Sequence, residues 1–563
     1  MADQERVQEA LNYFKKYLDL KYADIEKSFS YMTENEKMFY LDEFENQIRN
    51  FYITILNHID QFPELSQVLL DFRIKTKGFL LNNISKIREQ IRERNDPTLI
   101  AAFEELKLKR ETVSKLMSFD TQEYHFALAE AAAINAEADK LEKEISLKVT
   151  GTGNTSLSQN WQSIQKLLKP GEAAIEVFQS YLIYDKGQGR GTNYTFIILK
   201  DKGTPSFVSI DRPMTWEENV LASYRASIET KNDPGDVYQR LWLPVNLKLQ
   251  DVTTVYVSPD GIYNQVNLNS LLNKTSGRYL IEEKEIHVLT SLRDLQAVKA
   301  LKNSPPSRIV LFGNPAFDYD LAKLPTAPPQ GMSTTLAQRS VYGFKLTELP
   351  GTKTEVEVIS QTLKKYGVKV EAYTEEKASE NTLKKIVNPD VLHLATHGFF
   401  LEDPKEEDLI GYSTMEKEFY TNPMMRSGIF LTGANNDYHV NSANVSTLND
   451  YEDGMITASE AMNLKLDKTQ LIVLSACQTG LGKVKNGEGV FGLQRAFRLA
   501  GAKSIIMSLW PVSDEATKDL MIAFYEEWSR SGDVYKAFRY AQLEVKKKYP
   551  QPYYWGAFVL CGR

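Results

Sequence analysis

His397 and Cys477 are the two side chains of this 563-residue sequence whose types and settings could do nucleophilic chemistry together. Each ends a short apolar run, Val391-Leu392-His393-Leu394-Ala395-Thr396-His397-Gly398 and Leu471-Ile472-Val473-Leu474-Ser475-Ala476-Cys477. Such runs read as buried strands, and in open α/β sheets reactive groups collect at the carboxyl ends of strands. The two residues are 80 apart in sequence (477 − 397), so any contact between them is tertiary. A neutral imidazole can take the thiol proton and leave a thiolate, the stronger nucleophile. Gly398 lacks a Cβ and would let its main-chain N–H approach a substrate carbonyl. The Cys477 N–H would be a second oxyanion donor.

Other residues suit quieter roles. Cys561, in the terminal run Phe558-Val559-Leu560-Cys561, reads as a small core residue. His393 and His397 form H-x-x-x-H, but on a strand rising ~3.3 Å per residue they stand about 13 Å apart, too far to share a metal ion. His393 is expected to be buried and hydrogen-bonded. Gly487-Glu488-Gly489-Val490-Phe491-Gly492 fits G-x-G-x-x-G, but ten residues, Cys477 to Asn486, separate it from the preceding strand. A dinucleotide site needs the strand to run straight into the first glycine. No metal or organic cofactor is expected.

The elements that must position the pair follow from periodicity. Strands and helices alternate after about residue 305: strands over 308–312, 368–373, 391–395, 471–475, 504–509 and 557–560, with helices over 352–366, 379–386, 489–499, 516–529 and 534–547. That alternation implies an α/β domain on a mostly parallel sheet. Stretches near 323–332 and 402–452 read as long loops. Residues 156–304 have a β-rich texture, with runs over 173–184 and 193–199 predicting a hairpin around a glycine-rich loop. The first 150 residues read as helix. Leu41, Phe44, Ile48, Phe51, Tyr52 and Ile55 mark one face, 68–94 and 99–117 continue the pattern, and Asp96-Pro97 makes a helix start. The expected division is 1–155 helical, 156–304 β-rich and 305–563 α/β, an α+β multidomain chain.

Composition bounds the function. Apolar residues are 42% and charged residues 25%, which suits a globular chain. Lys+Arg 67 against Asp+Glu 74 leaves a net charge of −7, which argues against a general electrostatic grip on nucleic acid or anionic membrane. Two cysteines exclude a disulfide framework and favour a reducing compartment. The start, MADQERVQEA, lacks the regions of a signal peptide, and no apolar run reaches the ~18 residues of a membrane span. A cytoplasmic location is expected.

Several longer segments resemble the CHAT domain, a caspase-like domain often attached to tetratricopeptide repeats, within the clan of cysteine peptidases that contains caspases and separase. They are LHLATHGFF, DGMITASEAMNLKL, LIVLSACQTGLGKVKNGEGVFGLQRAFRLAGAKSIIMSLWPVSDEAT and YYWGAFVL, with weaker text at VYVSPDGIYNQVNLNSLL, LFGNPAF and LPGTKTEV. The resemblance implies a catalytic dyad of His397 and Cys477. It also implies a degenerate, non-catalytic half over 156–304 packed on a catalytic half over 305–563, and a helical segment of the kind that follows tetratricopeptide repeats. It implies a protein substrate, a regulatory protein or ribonucleoprotein partner contacting the helical N-terminus, and a setting in bacterial defence. Ser508 to Glu515 resembles the separase segment whose acid pairs with an arginine at the cleavage position, which falls here on Asp514, with Glu515 beside it. The plainer role of Ser513 or Asp514 is to cap the helix that follows. The rival expectation for the whole chain is a non-catalytic scaffold whose helical region binds a partner.

Overall fold

The computed structural model describes residues 2–562 except 57–61, 63, 118–124, 151–158, 184–189, 214, 233–235, 302–303, 321–344, 402–403, 437–451, 476–482, 486–488 and 512. Six helices come first: α1 (Ala2–Ser28), α2 (Glu34–Leu56), α3 (Glu64–Thr76), α4 (Phe79–Arg94), α5 (Pro97–Met117) and α6 (His125–Thr150). Leu41, Phe44, Ile48 and Tyr52 of α2 are buried along one face, as their spacing predicts. Asp96 Oδ1 accepts from the Thr98 and Leu99 amides and so starts α5. The run expected as one helix over 68–94 is two, because Gly78 adopts φ +62, the left-handed region that glycine enters without Cβ strain.

The remaining chain builds an eleven-stranded sheet. Its strands are β1 (Glu172–Ile183), β2 (Arg190–Lys200), β3 (Ser206–Pro213), β4 (Thr254–Ser258), β5 (Glu285–Leu289), β6 (Arg308–Pro315), β7 (Lys369–Glu375) and β8 (Val391–Ala395). Three short strands, β9 (Gly398–Phe400), β10 (Ser427–Phe430) and β11 (Met455–Thr457), form a separate sheet. β12 (Leu471–Leu474), β13 (Ser504–Ser508) and β14 (Phe558–Gly562) return to the large one. The large sheet runs β3-β2-β1-β4-β5-β14-β13-β12-β8-β6-β7. β1, β4, β5 and β14 are mutually parallel, and β13, β12, β8, β6 and β7 form a second parallel group. The groups meet antiparallel at β13 and β14, so the last strand of the chain closes the seam.

Parallel strands covered on both faces must be apolar on both. Ile309, Leu311, Val391, Val473 and Ile506 face one side, against α7 (Pro350–Lys365), α11 (Asp514–Ser531) and α12 (Val534–Lys548). Val310, Phe312, Leu392, Leu394, Ile472 and Leu474 face the other, with α9 (Ala458–Ala461) and α10 (Leu493–Leu499). The period-2 alternation of a strand sets this division.

The helical segment covers part of the sheet and does not stand as an independent bundle. Leu65, Leu69 and Ile74 of α3 pack with Phe178, Ile197, Tyr256 and Leu289. Beside them lies a group of fully buried charges. Arg73 Nη2 reaches Asp260 at 3.2 Å, Arg73 Nη1 reaches Glu45 at 3.3 Å, and Lys77 Nζ reaches Glu176 at 2.7 Å. Burial disfavours the Arg73 charge, yet the three carboxylates outweigh it and raise the pKa further.

The structure differs from the periodicity reading in two stretches that matter for the site. The expected loop over 402–452 contains α8 (Thr414–Thr421) and β10. The helix expected from Gly489 begins at Leu493, because Gly489–Phe491 pairs with Lys483–Lys485 as a hairpin.

Candidate active site

β8 and β12 are adjacent and parallel, with Val391 opposite Leu471 and Leu394 opposite Leu474. The Ser475 N–H extends the ladder to Leu394 O at 2.9 Å. Cys477 lies outside the described residues, as do Ala476 and Gln478. His397 is half-buried just beyond the end of β8. Its ring stacks obliquely on Phe317, 5.4 Å between centroids. His397 Nε2 lies 3.0 Å from Thr347 O. A carbonyl oxygen only accepts, so Nε2 carries the proton and Nδ1 is left as the basic nitrogen.

The residue before Thr347 is itself held. Asn435 accepts from Leu346 N and donates to Leu346 O, both at 3.0 Å, and the Asn435 N–H donates to Phe317 O at 2.9 Å. One asparagine thus fixes both supports of the His397 ring. Sequence reasoning missed Asn435 and Phe317, since neither lies in an apolar strand and both act through turn-like segments distant in the chain.

Gly398 begins β9 opposite Ile429. The Phe430 N–H donates to His397 O at 2.9 Å, which makes Gly398 and Ile429 a non-hydrogen-bonded pair. In such a pair the Gly398 N–H points away from β10.

A buried polar layer lies beneath the strand ends. Glu355 of α7 is 4% exposed, and Ser475 Oγ lies 2.9 and 3.1 Å from its two carboxylate oxygens. His393 is fully buried, as expected. Its Nδ1 lies 3.1 Å from Tyr525 Oη, and its Nε2 lies 3.1 Å from Glu355 Oε1. The second contact has ion-pair length but is poorly aligned for a hydrogen bond, and Nε2 has no other partner. Burial and the Glu355 charge both raise the Tyr525 pKa, so its hydroxyl stays protonated.

The two proposed pocket acids part company. Asp514 is exposed at the start of α11, and its carboxylate lies so close to Gly351 that a Cβ there would collide with it. Gly351 is in the first turn of α7, where a carboxylate is favoured by the helix dipole. Glu515 instead faces Lys548 at 3.6 Å. Ser513 precedes α11 but makes no side-chain cap. Cys561 is buried in β14, with Gln494 Nε2 at 3.2 Å from its sulfur.

Among the described residues, one group of three carboxylates could hold a cation: Glu111, Glu380 and Glu460. The Lys384 ammonium bonds Glu111 and lies 2.8 Å from Glu380 and 3.6 Å from Glu460, so it already supplies the positive charge. No described helix is long and apolar enough to cross a membrane.

Comparison with known proteins follows this geometry. The human tetratricopeptide repeat protein 28 is 25% identical over 307 residues, covering 52% of this chain and 11% of that protein. The chain therefore spans about a tenth of that relative's length. Among solved structures, the Saccharomyces cerevisiae separase in its complex with securin is 10% identical with a TM-score of 0.36, covering 78% of this chain and 33% of that one. The Arg-specific cysteine proteinase gingipain R of Porphyromonas gingivalis is 10% identical with a TM-score of 0.31, covering 62% and 74%. The CHAT-domain family model matches residues 235–563, more than half of the sequence. This chain belongs to the CHAT-domain family.

Proposed function

We propose that this chain is a cysteine endopeptidase, with Cys477 as nucleophile and His397 as its general base. The observation that carries the reading is the register of β8 and β12. Every described pair is offset by 80 residues, Val391 with Leu471 through Leu394 with Leu474, and 80 is also the separation of His397 and Cys477. The fixed His397 tautomer supports the same reading, because it leaves Nδ1 basic.

In the proposed reaction, Nδ1 takes the Cys477 proton and the sulfur attacks the scissile carbonyl carbon. The oxyanion is met by the Gly398 and Cys477 N–H groups. The His397 proton then passes to the leaving amine as the C–N bond breaks, giving a thioester. Water, deprotonated by Nδ1, attacks the thioester, and the sulfur leaves to recover the thiol. The Thr347 carbonyl holds the Nε2 proton and keeps the ring oriented through both steps.

We read 305–563 as the reacting half and 156–304 as the half that closes the sheet. Asp514 is the acid we assign to a substrate arginine, since its carboxylate lies on the α7 terminus that follows Thr347. The helical segment is read as the receiver of an activating partner, in a cytoplasmic and defensive setting. The experiment is comparison of protein termini generated by wild-type, Cys477→Ala and His397→Ala chains. New termini, mostly after Arg, should appear with wild type alone. Identical termini in all three would favour the scaffold reading.

A further inference from the structure

A cavity of about 370 Å³ lies at the seam between the helical segment and the second half of the sheet. One wall comes from α2, α4, α5 and α6. The other comes from the end of α8, the turn that follows it, and Ser459, Met462 and Asn463. Its size suits a small molecule and has room for on the order of ten water-sized groups at ~30 Å³ each. Met38, Met117, Met424, Met425 and Met462 line it. Unbranched thioethers adapt to a flexible apolar guest.

The wall carries four cations, Lys37, Arg88, Lys107 and Arg110, against three carboxylates, Glu34, Glu142 and Glu418. Arg88 Nη1 bonds two main-chain carbonyls, Met462 O at 2.5 Å and Leu499 O at 2.8 Å. Its Nε has no hydrogen-bond partner, and among the described residues Arg88 forms no ion pair, the Glu34 carboxylate acting on it only from beyond ion-pair distance. Lys107 sits beside it. The Arg88 guanidinium and the Lys107 ammonium lie 5.5 and 4.8 Å from the centroid of the same Phe103 ring. Lys107 pairs with Glu104, which is half exposed and faces outward. Burial lowers the pKa of both cations, that of Arg88 to about 10. The other charges on the wall are Arg110, paired with Asp139 and Glu142, Lys37, bonded to Asn83, Glu34, 3.9 Å from Arg495, and the exposed Glu418. Glu34 is raised above the usual carboxylate range, chiefly by burial. A buried guanidinium with no direct ion pair is costly, and an anion in contact with it relieves that cost.

We propose that this cavity binds an amphipathic monoanion, a medium-chain carboxylate, with its head on Arg88 and Lys107 and its chain among the methionines. The occupant bears on His397 as well, a consequence that rests on the peptidase reading. Met117, Phe419 and Met425 of the cavity wall belong to one packed cluster with Phe317, Phe399 and Phe430. Phe317 carries the His397 ring, and the Phe430 N–H bonds His397 O. Filling the cavity shifts this packing and therefore the imidazole. A ligand acts in this way only through differential affinity for the two arrangements.

The test is titration calorimetry of the full chain with decanoate, decanol and decyltrimethylammonium. Decanoate should bind at least ten-fold more tightly than decanol, and decyltrimethylammonium should not bind. Met462→Trp, which fills the cavity and leaves both cations, should abolish binding. Arg88→Met should weaken decanoate at least ten-fold and leave decanol unchanged. Equal binding of decanoate and decanol, or decanoate binding that survives Met462→Trp, overturns the assignment. For the coupling, the rate of Cys477 alkylation is followed with and without decanoate and should change several-fold. Binding without a change in that rate removes the coupling and leaves the site. Alkylation of Cys477 that ignores His397 in every condition counts against the peptidase reading, and calorimetry still decides the site.

Discussion

Ser475 Oγ lies 2.9 and 3.1 Å from the two carboxylate oxygens of Glu355, in a layer sealed from solvent. Ser475 is two residues before Cys477, and His393, beside the same carboxylate, is four before His397. One helix side chain therefore ties together the two strands that carry the proposed dyad. Glu355→Ala leaves the buried Ser475 hydroxyl without its acceptor and removes the carboxylate beside His393. Urea unfolding should show a loss of about 2–4 kcal/mol. Glu355→Gln keeps one acceptor and should lose less than half as much. Equal losses in the two variants would mean that packing, and not hydrogen bonding, is the role of Glu355.

Asn435→Ala tests the support of the His397 ring. It removes both bonds to Leu346 and frees the Thr347 carbonyl. Turnover should fall by up to about 100-fold, the scale of a 1 Å misplacement of a reacting group, with a stability change of only about 1 kcal/mol. Normal turnover in this variant would detach Asn435 from the site.

Burial raises the Glu460 pKa to about 7 against an ordinary value of 4.5, and Lys384 only partly offsets this. Glu380, Glu111, Lys115 and Asp453 share its surroundings, and Lys384 holds Glu380 below the usual range. A raised carboxyl keeps its proton in the folded chain where the unfolded chain has lost it. Stability should therefore decline as pH rises from about 4.5 to about 7, and Glu380 gives the opposite slope below 4.5. Glu460→Gln still offers an oxygen to Thr457 N and should flatten the decline in denaturant titrations across that window. A slope unchanged by this variant would place the titration elsewhere.

The helical segment should not be separable from the sheet. A fragment beginning at residue 159 would expose the α3-covered face and leave Glu176 and Asp260 without Arg73 and Lys77. We expect it to be insoluble, and Arg73→Met in the full chain to lose about 3–5 kcal/mol. A soluble fragment with a cooperative melt would contradict this.

Much of this architecture was legible in the sequence. β6, β8, β12 and β13 are apolar on both faces because both faces are covered, and such runs announce themselves. The Asp96-Pro97 start and the α2 face were equally plain. Gly78 was not, since a single glycine within a helical pattern does not declare a positive φ. β10 was hidden because its four residues pair with partners across the chain, not with a neighbouring run. The supports of His397 were invisible for the same reason. Asn435, Thr347 and Phe317 meet only after folding, and their types carry no signal of their own.

The preference for arginine depends on Asp514. Gly351→Ala puts a methyl where the Asp514 carboxylate lies and should displace it. Turnover of Arg substrates should drop at least ten-fold relative to apolar ones, as in Asp514→Ala. A wild-type profile led by Leu, Met or Asp would remove Asp514 from substrate recognition.

The central claim is that His397 activates Cys477. Its most direct measurement is intact-mass and peptide analysis of the folded full chain after brief exposure to a peptidyl-arginine acyloxymethyl ketone. One adduct should form, at Cys477, with Cys561 unmodified because it is only 2% exposed. His397→Ala should slow that adduct at least 100-fold while leaving the fold intact. Labelling of Cys477 at the same rate in both proteins, or labelling of both cysteines only after denaturation, would contradict the account.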